Sequence, residues 1–450
     1  MADGIGLPAI SLVPIMCRML TIDTSHSVRF CDGITRRQAL QIGIAGWGGL
    51  TLGSLLRAEA NLGRSTTRSV INIHLGGGPA HQETFDLKPD APRECRGEAR
   101  PIQTSVPGIE ISDLLPRLAK RAHRLAILRA LVGAKDDHSD QQTMTGFVEV
   151  FPQRTDRPAI GSVVDRLLGP LADGTPPFVS LGIPTRQFDG GTPGYLGPSY
   201  APYRPDTGDV EPNDLRIRPL KLSAKRLRTR TQLLASLDGL RRSLDNSRKI
   251  DELDPYAQRA LDVVLSGKVA DALDLSQVSE ATKQRYGQHG LVFLKSLRLA
   301  AAGVRVVNCP YHGWDYHENI APGHRMRLPR LDQGISALID DLYAEGLDRE
   351  IAVVVWGDFG RSPRINHNAG RDHWPAVSMA LMTGGGFQTG QVIGSTTSRA
   401  EEPKERPIHY QNVHATLYRH LGVDPSETLE DFAGRPQALL EKDAPIPELG

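Results

Sequence analysis

The sequence has few cysteines, few aromatic residues and almost no net charge. Its 450 residues include four cysteines and 5% aromatic residues, and the formal net charge is +1. The cysteines form no CxxC pair, which argues against a cysteine-based zinc site, and they are too few for a disulfide scaffold. The balanced charge argues against a protein that binds nucleic acid through bulk charge.

Apolar runs of membrane length are also lacking. The most extended one, Ile42–Leu56, has about 15 residues, whereas a membrane span needs about 20. It follows the pair Arg36-Arg37 and precedes Ala58-Glu59-Ala60, a small-x-small cleavage pattern. This layout predicts a leader over residues 1–60 with a twin-arginine-type signal, and therefore a periplasmic or extracellular protein. The alternative is an N-terminal core helix or anchor.

Short apolar runs alternate with helical patterns along the rest of the chain. Continuous runs are typical of strands buried on both faces, so the sequence predicts an α/β fold with a large, mostly parallel sheet flanked by helices. The predicted strands are Val70–Leu75, Leu125–Val132, Pro177–Leu181, Val304–Cys309, Ile351–Trp356 and Ser378–Thr383. The predicted helices are residues 227–244, Gly290–Ala302 and Ile335–Tyr343, and a Gly/Pro-rich loop insertion is predicted at about 170–215.

Acidic and histidine side chains follow two of these strands. Asp315 and His317 come after Val304–Cys309, Asp358 comes directly after Ile351–Trp356, and Asp372 and His373 follow a few residues later. Sites in open α/β sheets form at the carboxyl ends of strands, so these clusters are expected to meet. Carboxylate oxygen and imidazole nitrogen suit a divalent metal such as zinc, manganese or calcium. Taken singly, Asp315 also fits a helix N-cap, and His317 a surface or core histidine.

Two further turns lie where a site would form. Gly76–Gly78 ends the first strand and is neither a P-loop nor a GxGxxG motif. It is interpreted either as a tight turn or as backbone N–H groups that face an anion. Residues 135–140 form another polar cluster after Leu125–Val132, and Ser139 is the hydroxyl in it.

Five motifs in a fixed order resemble a known family. They are His74-Leu75-Gly76-Gly77-Gly78-Pro79, Thr84-Phe85-Asp86-Leu87-Lys88-Pro89, Gly313-Trp314-Asp315-Tyr316-His317, Asp358-Phe359-Gly360-Arg361-Ser362-Pro363 and Gly370-Arg371-Asp372-His373-Trp374. On these motifs the chain is identified as a member of the DUF1501 family, exported bacterial proteins abundant in planctomycetes. The resemblance runs from about residue 30 to about 425, and it implies a single domain over residues 61–450.

That family is in turn similar to the alkaline phosphatase and sulfatase superfamily. The resemblance implies a parallel-rich α/β sheet with metal ligands at strand ends. Asp315 and His317 resemble its Asp-x-x-x-His pair, here spaced Asp-x-His; Asp358 resembles the Asp of its Asp-His pair, with Phe359 at the histidine position. His373 resembles its later single histidine. The Cys/Ser-x-Pro-x-Arg motif is absent, so formylglycine chemistry is not expected.

These features predict an exported, metal-dependent hydrolase of a phosphate, sulfate or related ester, on a small molecule or a polysaccharide. The predicted metal ligands are Asp315, His317, Asp358 and His373, with Asp372 as a further ligand or as their support. Arg361 or Arg371 would pair with the anionic substrate, and activated water or Ser139 would be the nucleophile. The alternative is a non-catalytic periplasmic binding or assembly protein with a degenerate hydrolase fold. Neither a nucleic-acid partner nor a membrane span in the mature chain is expected.

Overall fold

The computed structural model describes residues 67–148, 157–171, 174–182, 191–205 and 267–450. The predicted leader, the predicted helix over residues 227–244 and part of the 170–215 loop lie outside these residues. The described residues belong to one compact unit, Ser65–Gly450. Among them, no helix combines the length and the hydropathy that a bilayer crossing requires.

Sixteen short strands lie in the described part of the chain, and eight of them form one central sheet. Their bounds are β1 Ser69–Leu75, β2 Pro101–Gln103, β3 Glu110–Ser112, β4 Ala126–Val132, β5 Phe178–Ser180, β6 Val306–Pro310, β7 Ile351–Gly357, β8 Gly360–Arg361, β9 His373–Trp374, β10 Ser378–Gly384, β11 Gln391–Ile393, β12 Ser395–Thr396, β13 Pro403–Glu405, β14 Ile408–His409, β15 Thr428–Glu430 and β16 Pro436–Ala438. The central order is β11-β4-β10-β7-β1-β6-β5, and β14 also pairs with β4.

Helices cover both faces of this sheet. Their bounds are α1 Pro116–Ala119, α2 Gln141–Thr145, α3 Ile160–Leu168, α4 Lys268–Leu273, α5 Glu280–Tyr286, α6 Leu291–Ala301, α7 Ile320–Ala344 and α8 Tyr410–Leu421. Successive strand residues point to opposite faces. In β1, Ile71 and Ile73 join the core under α6 and α7, whereas Val70 joins the core under α3 and α8. Burial on both faces explains the continuous apolar runs, and the predicted α/β class is confirmed.

The prediction of a mostly parallel sheet is wrong, because the sheet is mixed. Strand β10 runs antiparallel to both of its neighbours, β4 and β7. The connection from β7 to β10 contains the short β8–β9 hairpin and no helix. Without a crossover helix, the chain re-enters the sheet at the edge where it left, so the next strand must run the other way. A continuous apolar run reports burial on both faces and carries no information about strand direction.

The predicted elements themselves are mostly found. All six predicted strands form, with ends that differ by one or two residues, and the helix predicted at Gly290–Ala302 is α6. The helix predicted at Ile335–Tyr343 is only the end of α7, which begins fifteen residues earlier and contains Gly323 and Pro329. Proline and glycine weaken a helical pattern in sequence, and here packing of α7 on the sheet outweighs them.

Candidate metal centre

The carboxyl ends of β1, β6 and β7 converge through the glycine turn after β1. Gly77 has φ +111, and a Cβ there would lie 2.5 Å from the backbone nitrogen of Asp315. A Cβ on Gly78, with φ +67, would lie 2.8 Å from the ring of Phe359. Only glycine permits both the backbone conformation and this approach. The turn also faces an anion, because the Gly77 N–H lies 3.2 Å from each oxygen of the Asp358 carboxylate.

Three histidines surround the carboxylate of Asp315. Its Oδ2 lies 3.1 Å from Nε2 of His138, and its Oδ1 lies 3.0 Å from Nε2 of His317 and 3.4 Å from Nε2 of His373. The ligand atoms of His138, Asp315 and His373 all lie within 4.8 Å of one another. His317 adjoins this group, because its Nε2 is 3.1 Å from Nε2 of His373.

Each of these histidines has an oxygen acceptor at its other ring nitrogen. The Nδ1 contacts are 2.7 Å from His138 to Asp358 Oδ2, 3.2 Å from His317 to Asp372 Oδ1, and 2.7 Å from His373 to the carbonyl of Asp136. An acceptor at Nδ1 favours the tautomer with its proton there, which leaves a lone pair on Nε2. Metal-binding histidines typically have this support.

The cluster around Asp315 has the residue types of a cation site. The Nε2 lone pairs of the three histidines and the Asp315 carboxylate make contacts of 3.0–3.4 Å and repel one another, and a proton, the Arg361 guanidinium on Asp315 Oδ1 or a metal ion offsets this repulsion. In a tetrahedral zinc site with bonds of about 2.0–2.1 Å, neighbouring ligand atoms are about 3.4 Å apart. The separations around Asp315 are close to that edge length. The donor set therefore fits one divalent ion.

Protons occupy part of this arrangement when no metal is bound. Burial disfavours the charged imidazole of His138, but hydrogen bonds with Asp315 and Asp358 outweigh burial and raise the pKa of His138 to about 9. These hydrogen bonds therefore favour the imidazolium form of His138 in the metal-free protein. Burial alone would raise the pKa of Asp315, but hydrogen bonds from His138, His373 and Arg361 hold it far below its usual range. Metal binding must displace the proton of His138.

The two predicted substrate-binding arginines are both fully buried. Arg361 donates to Asp315 Oδ1 at 2.5 Å, to the carbonyl of Gly78 at 2.9 Å and to the carbonyl of Arg371 at 3.0 Å. Arg371 donates to Glu83 at 3.0 Å and to the carbonyl of Cys95 at 2.9 Å. Both guanidinium groups therefore fasten loops of the protein to one another.

The other predicted site residues lie around the Asp315 cluster. Asp358 is fully buried behind His138, and the more exposed Asp372 contacts His317. Ser139 is buried, and its hydroxyl accepts a hydrogen bond from the backbone N–H of Gln141 at 3.1 Å, at the start of α2. The structure thus brings Asp315, His317 and His373 together directly, whereas Asp358 and Asp372 reach the cluster through histidines.

His138 is not among the residues that the sequence predicts. It lies in the polar cluster of residues 135–140, which follows β4 at the same edge of the sheet. The cluster contains several polar side chains but one imidazole. Its residue type and its position after a strand therefore indicate a ligand, whereas the sequence prediction for this segment names only Ser139, as a nucleophile.

Comparison with known sequences identifies a family for the chain but no activity. No curated protein matches it in sequence. The family model described as "Protein of unknown function (DUF1501)" matches residues 67–449, which include every residue of the cluster around Asp315. The chain therefore belongs to the DUF1501 family.

Proposed function

We propose that this protein is an exported, divalent-metal-dependent hydrolase of a phosphate, sulfate or related ester. One observation carries the proposal: three histidines, each with Nδ1 against an oxygen acceptor, direct Nε2 to the Asp315 carboxylate. The position of this cluster at the carboxyl ends of β1, β6 and β7 supports it further, since ligand sites in α/β sheets form there. The resemblance to the alkaline phosphatase and sulfatase superfamily is part of this proposal.

His138, Asp315 and His373 are assigned as metal ligands, with His317 as the fourth. Asp358 supports His138, and Asp372 supports His317, each through the Nδ1 contact. A donor set richer in imidazole than in oxygen favours zinc or manganese over calcium. Zinc is the expected ion, because the 3.0–3.4 Å contacts of Asp315 with the three histidines are close to the ligand spacing of a tetrahedral zinc site.

A bound divalent ion would supply Lewis acidity to the ester oxygen and lower the pKa of a water molecule. Water is assigned as the nucleophile, because the Ser139 hydroxyl is buried and accepts a hydrogen bond from the backbone. Arg361 acts as a positioning residue that holds Asp315, since its buried guanidinium donates to that carboxylate. Arg371 holds the loop that leads to Asp372 and His373 through Glu83 and Cys95.

The test begins with the metal content of the purified protein, measured by mass spectrometry after incubation with zinc, manganese or calcium. The wild type is expected to hold a stoichiometric ion, and Asp315→Ala and His373→Ala are expected to lose it. His367→Ala is the matched control, because His367 is an exposed histidine in the neighbouring loop. The loaded protein is then assayed with p-nitrophenyl phosphate, bis-p-nitrophenyl phosphate and p-nitrophenyl sulfate.

Two results would count against this function. Folded wild-type protein that takes up none of the three ions removes the metal centre altogether. Equal metal loss in His367→Ala and His373→Ala would show that the binding is not specific to the cluster. Turnover of one ester that depends on metal and on Asp315 supports the hydrolase assignment.

A non-catalytic metal-binding protein is the second proposal. The observation that favours it is that Ser139, Arg361 and Arg371 all contact other parts of the protein. A stoichiometric ion together with no turnover of any ester, and retention of the ion on addition of phosphate or sulfate, would favour this second proposal.

Export is proposed from the leader at Arg36-Arg37. The test is a fusion of residues 1–66 to a reporter that is active only after export. Replacing both arginines by lysine is expected to abolish reporter activity, since a twin-arginine signal requires the pair. Unchanged activity in the Lys-Lys fusion would refute a twin-arginine route.

A further inference from the structure

The loop over residues 366–372 is bound along its length to the segment that begins α7. Three backbone hydrogen bonds of 3.0 Å join them: Asn319 N–H to the carbonyl of Asn368, Ile320 N–H to the carbonyl of Ala369, and Arg371 N–H to the carbonyl of Tyr316. A Cβ on Gly370 would lie 2.0 Å from the carbonyl carbon of His317, so only glycine allows this contact. The loop and His317 therefore form one packed unit.

The side chain of Asn366 connects the two halves of that unit. Its Nδ2 donates to the carbonyl of His317 at 2.9 Å and to Oδ1 of Asp372 at 3.0 Å. Its Oδ1 accepts from the backbone N–H groups of Asn368 at 3.0 Å and Gly370 at 2.9 Å. Both amide hydrogens and the amide oxygen are thus used, which fixes the rotamer of Asn366 and the orientation of its amide.

The bond to Asp372 matters because that carboxylate is exposed. The side chain of Asp372 is 61% exposed, so its own packing does little to hold it. The oxygen that accepts from Asn366 is the same Oδ1 that lies 3.2 Å from Nδ1 of His317. The partners of metal-ligand histidines set ring orientation and ligand basicity.

We propose that Asn366 is a positioning residue for the metal centre. It holds the Asp372 carboxylate against Nδ1 of His317, and so directs Nε2 of His317 to the ion. The other two histidines have a fully buried carboxylate and a backbone carbonyl at Nδ1, so within the described part of the chain His317 is the one histidine of the cluster whose acceptor oxygen is held by a side-chain amide. This inference rests on the proposed function.

The test compares Asn366→Asp with Asn368→Asp in otherwise unchanged protein. Asn366→Asp keeps the side-chain shape and the oxygen that accepts the two backbone N–H groups, but it replaces the donating amide nitrogen by an oxygen that faces Asp372. Asn368→Asp makes the same charge change at an exposed position of the same loop. Zinc affinity is measured by competition with a chromogenic chelator, and the cobalt-substituted proteins are compared by visible absorption spectra. Asn366→Asp is expected to lower zinc affinity by about 10- to 100-fold and to alter the cobalt spectrum. Asn368→Asp should resemble wild type.

A double-mutant cycle separates positioning from general loop stability. If Asn366 acts through Asp372, Asn366→Asp should cause no further loss of affinity in an Asp372→Ala background. If Asn366→Asp does not fold, as judged by near-ultraviolet circular dichroism, Asn366→Ala is measured with the same expectations.

Two results would overturn the inference while the proposed function stands. One is wild-type zinc affinity in the folded Asn366 variant; the other is an equal loss of affinity with and without Asp372. Wild-type protein that binds neither zinc nor cobalt would overturn the proposed function, and the inference with it.

Discussion

Lowering the pH from 7 to 5 is predicted to destabilise this protein strongly, because three histidines outside the cluster around Asp315 are buried in the neutral form. Burial lowers the pKa of His81 to about 4, that of His324 to about 3 and that of His414 to about 4. Their ordinary pKa of about 6.5 applies in the unfolded chain. Since the folded pKa values are depressed, their contribution to stability is full above about pH 6.5 and decreases as the pH falls toward 4.

The magnitude follows from proton linkage. Between pH 7 and pH 5 the unfolded chain takes up most of a proton at each of these histidines, whereas the folded protein takes up almost none. Each residue therefore costs about 2 kcal/mol of unfolding free energy and the three together cost about 6 kcal/mol, whereas the raised pKa of His138 offsets about 1 kcal/mol of that loss. The result depends only on folded pKa values well below 5. A loss of this size is comparable with the whole stability of a typical domain, about 5–15 kcal/mol.

His324→Leu provides the matched perturbation. Its ring lies near Trp314 and Tyr316, and within the described residues neither of its nitrogens has a hydrogen-bond partner. Leucine is close in volume and cannot take up a proton, so the variant should lose about 2 kcal/mol less than wild type between pH 7 and pH 5. The control is His367→Leu, at an exposed position.

The assay is urea unfolding of metal-free protein at both pH values. Equal pH dependence in wild type and His324→Leu would refute the reasoning for that residue. Equal stability of wild type at pH 7 and pH 5 would refute it for all three.

Three further predictions concern the cluster around Asp315. Zinc binding at pH 7.5 should release about one proton, because His138 with a pKa of about 9 must lose its proton; calorimetry in buffers of different ionisation enthalpy measures the release, which should vanish well above pH 9. Asp358→Asn should lower zinc affinity by about 10- to 100-fold in competition titrations while the fold persists, because His138 loses its charged partner; unchanged affinity would contradict that role. Gly77→Ala should destabilise the fold by about 2 kcal/mol or more and abolish zinc binding, because its Cβ would clash with Asp315; urea unfolding that matches wild type would contradict the steric argument.

Strand positions could be predicted from sequence, whereas the direction of one strand could not. Runs such as Ile351–Trp356 and Ser378–Thr383 are apolar because both faces of the sheet are covered. That property is the same for a parallel and an antiparallel neighbour. The direction of β10 depends on the absence of a helix between Gly357 and Ser378, which is a property of the connection and not of the strand.

Part of the cluster around Asp315 could be predicted, namely the residues whose side-chain type and position after a strand both indicate a site. Asp315 and His373 could be identified because acidic and imidazole side chains follow buried strands. The buried state of Arg361 could not, since arginine is seldom fully buried and two of its partners besides Asp315 are backbone carbonyls, which have no residue-specific signal. His138 follows β4. It reaches the cluster because β4 lies in the central sheet beside β10, a strand from a much later part of the chain.

The residues of the cluster around Asp315 come from distant parts of the chain, so the order in which these segments fold decides when the cluster forms. His138 and Asp358 are 220 positions apart and meet at 2.7 Å, whereas Asp315 and His373 are 58 positions apart. A folding chain can therefore bring the later pair together first, and the full ligand set exists only after β4 has docked. Contacts between such distant segments form slowly, because a long loop must close before they are made. A tightly held ion would then report that folding is complete, so an incompletely folded molecule could be recognised by its weaker hold on metal.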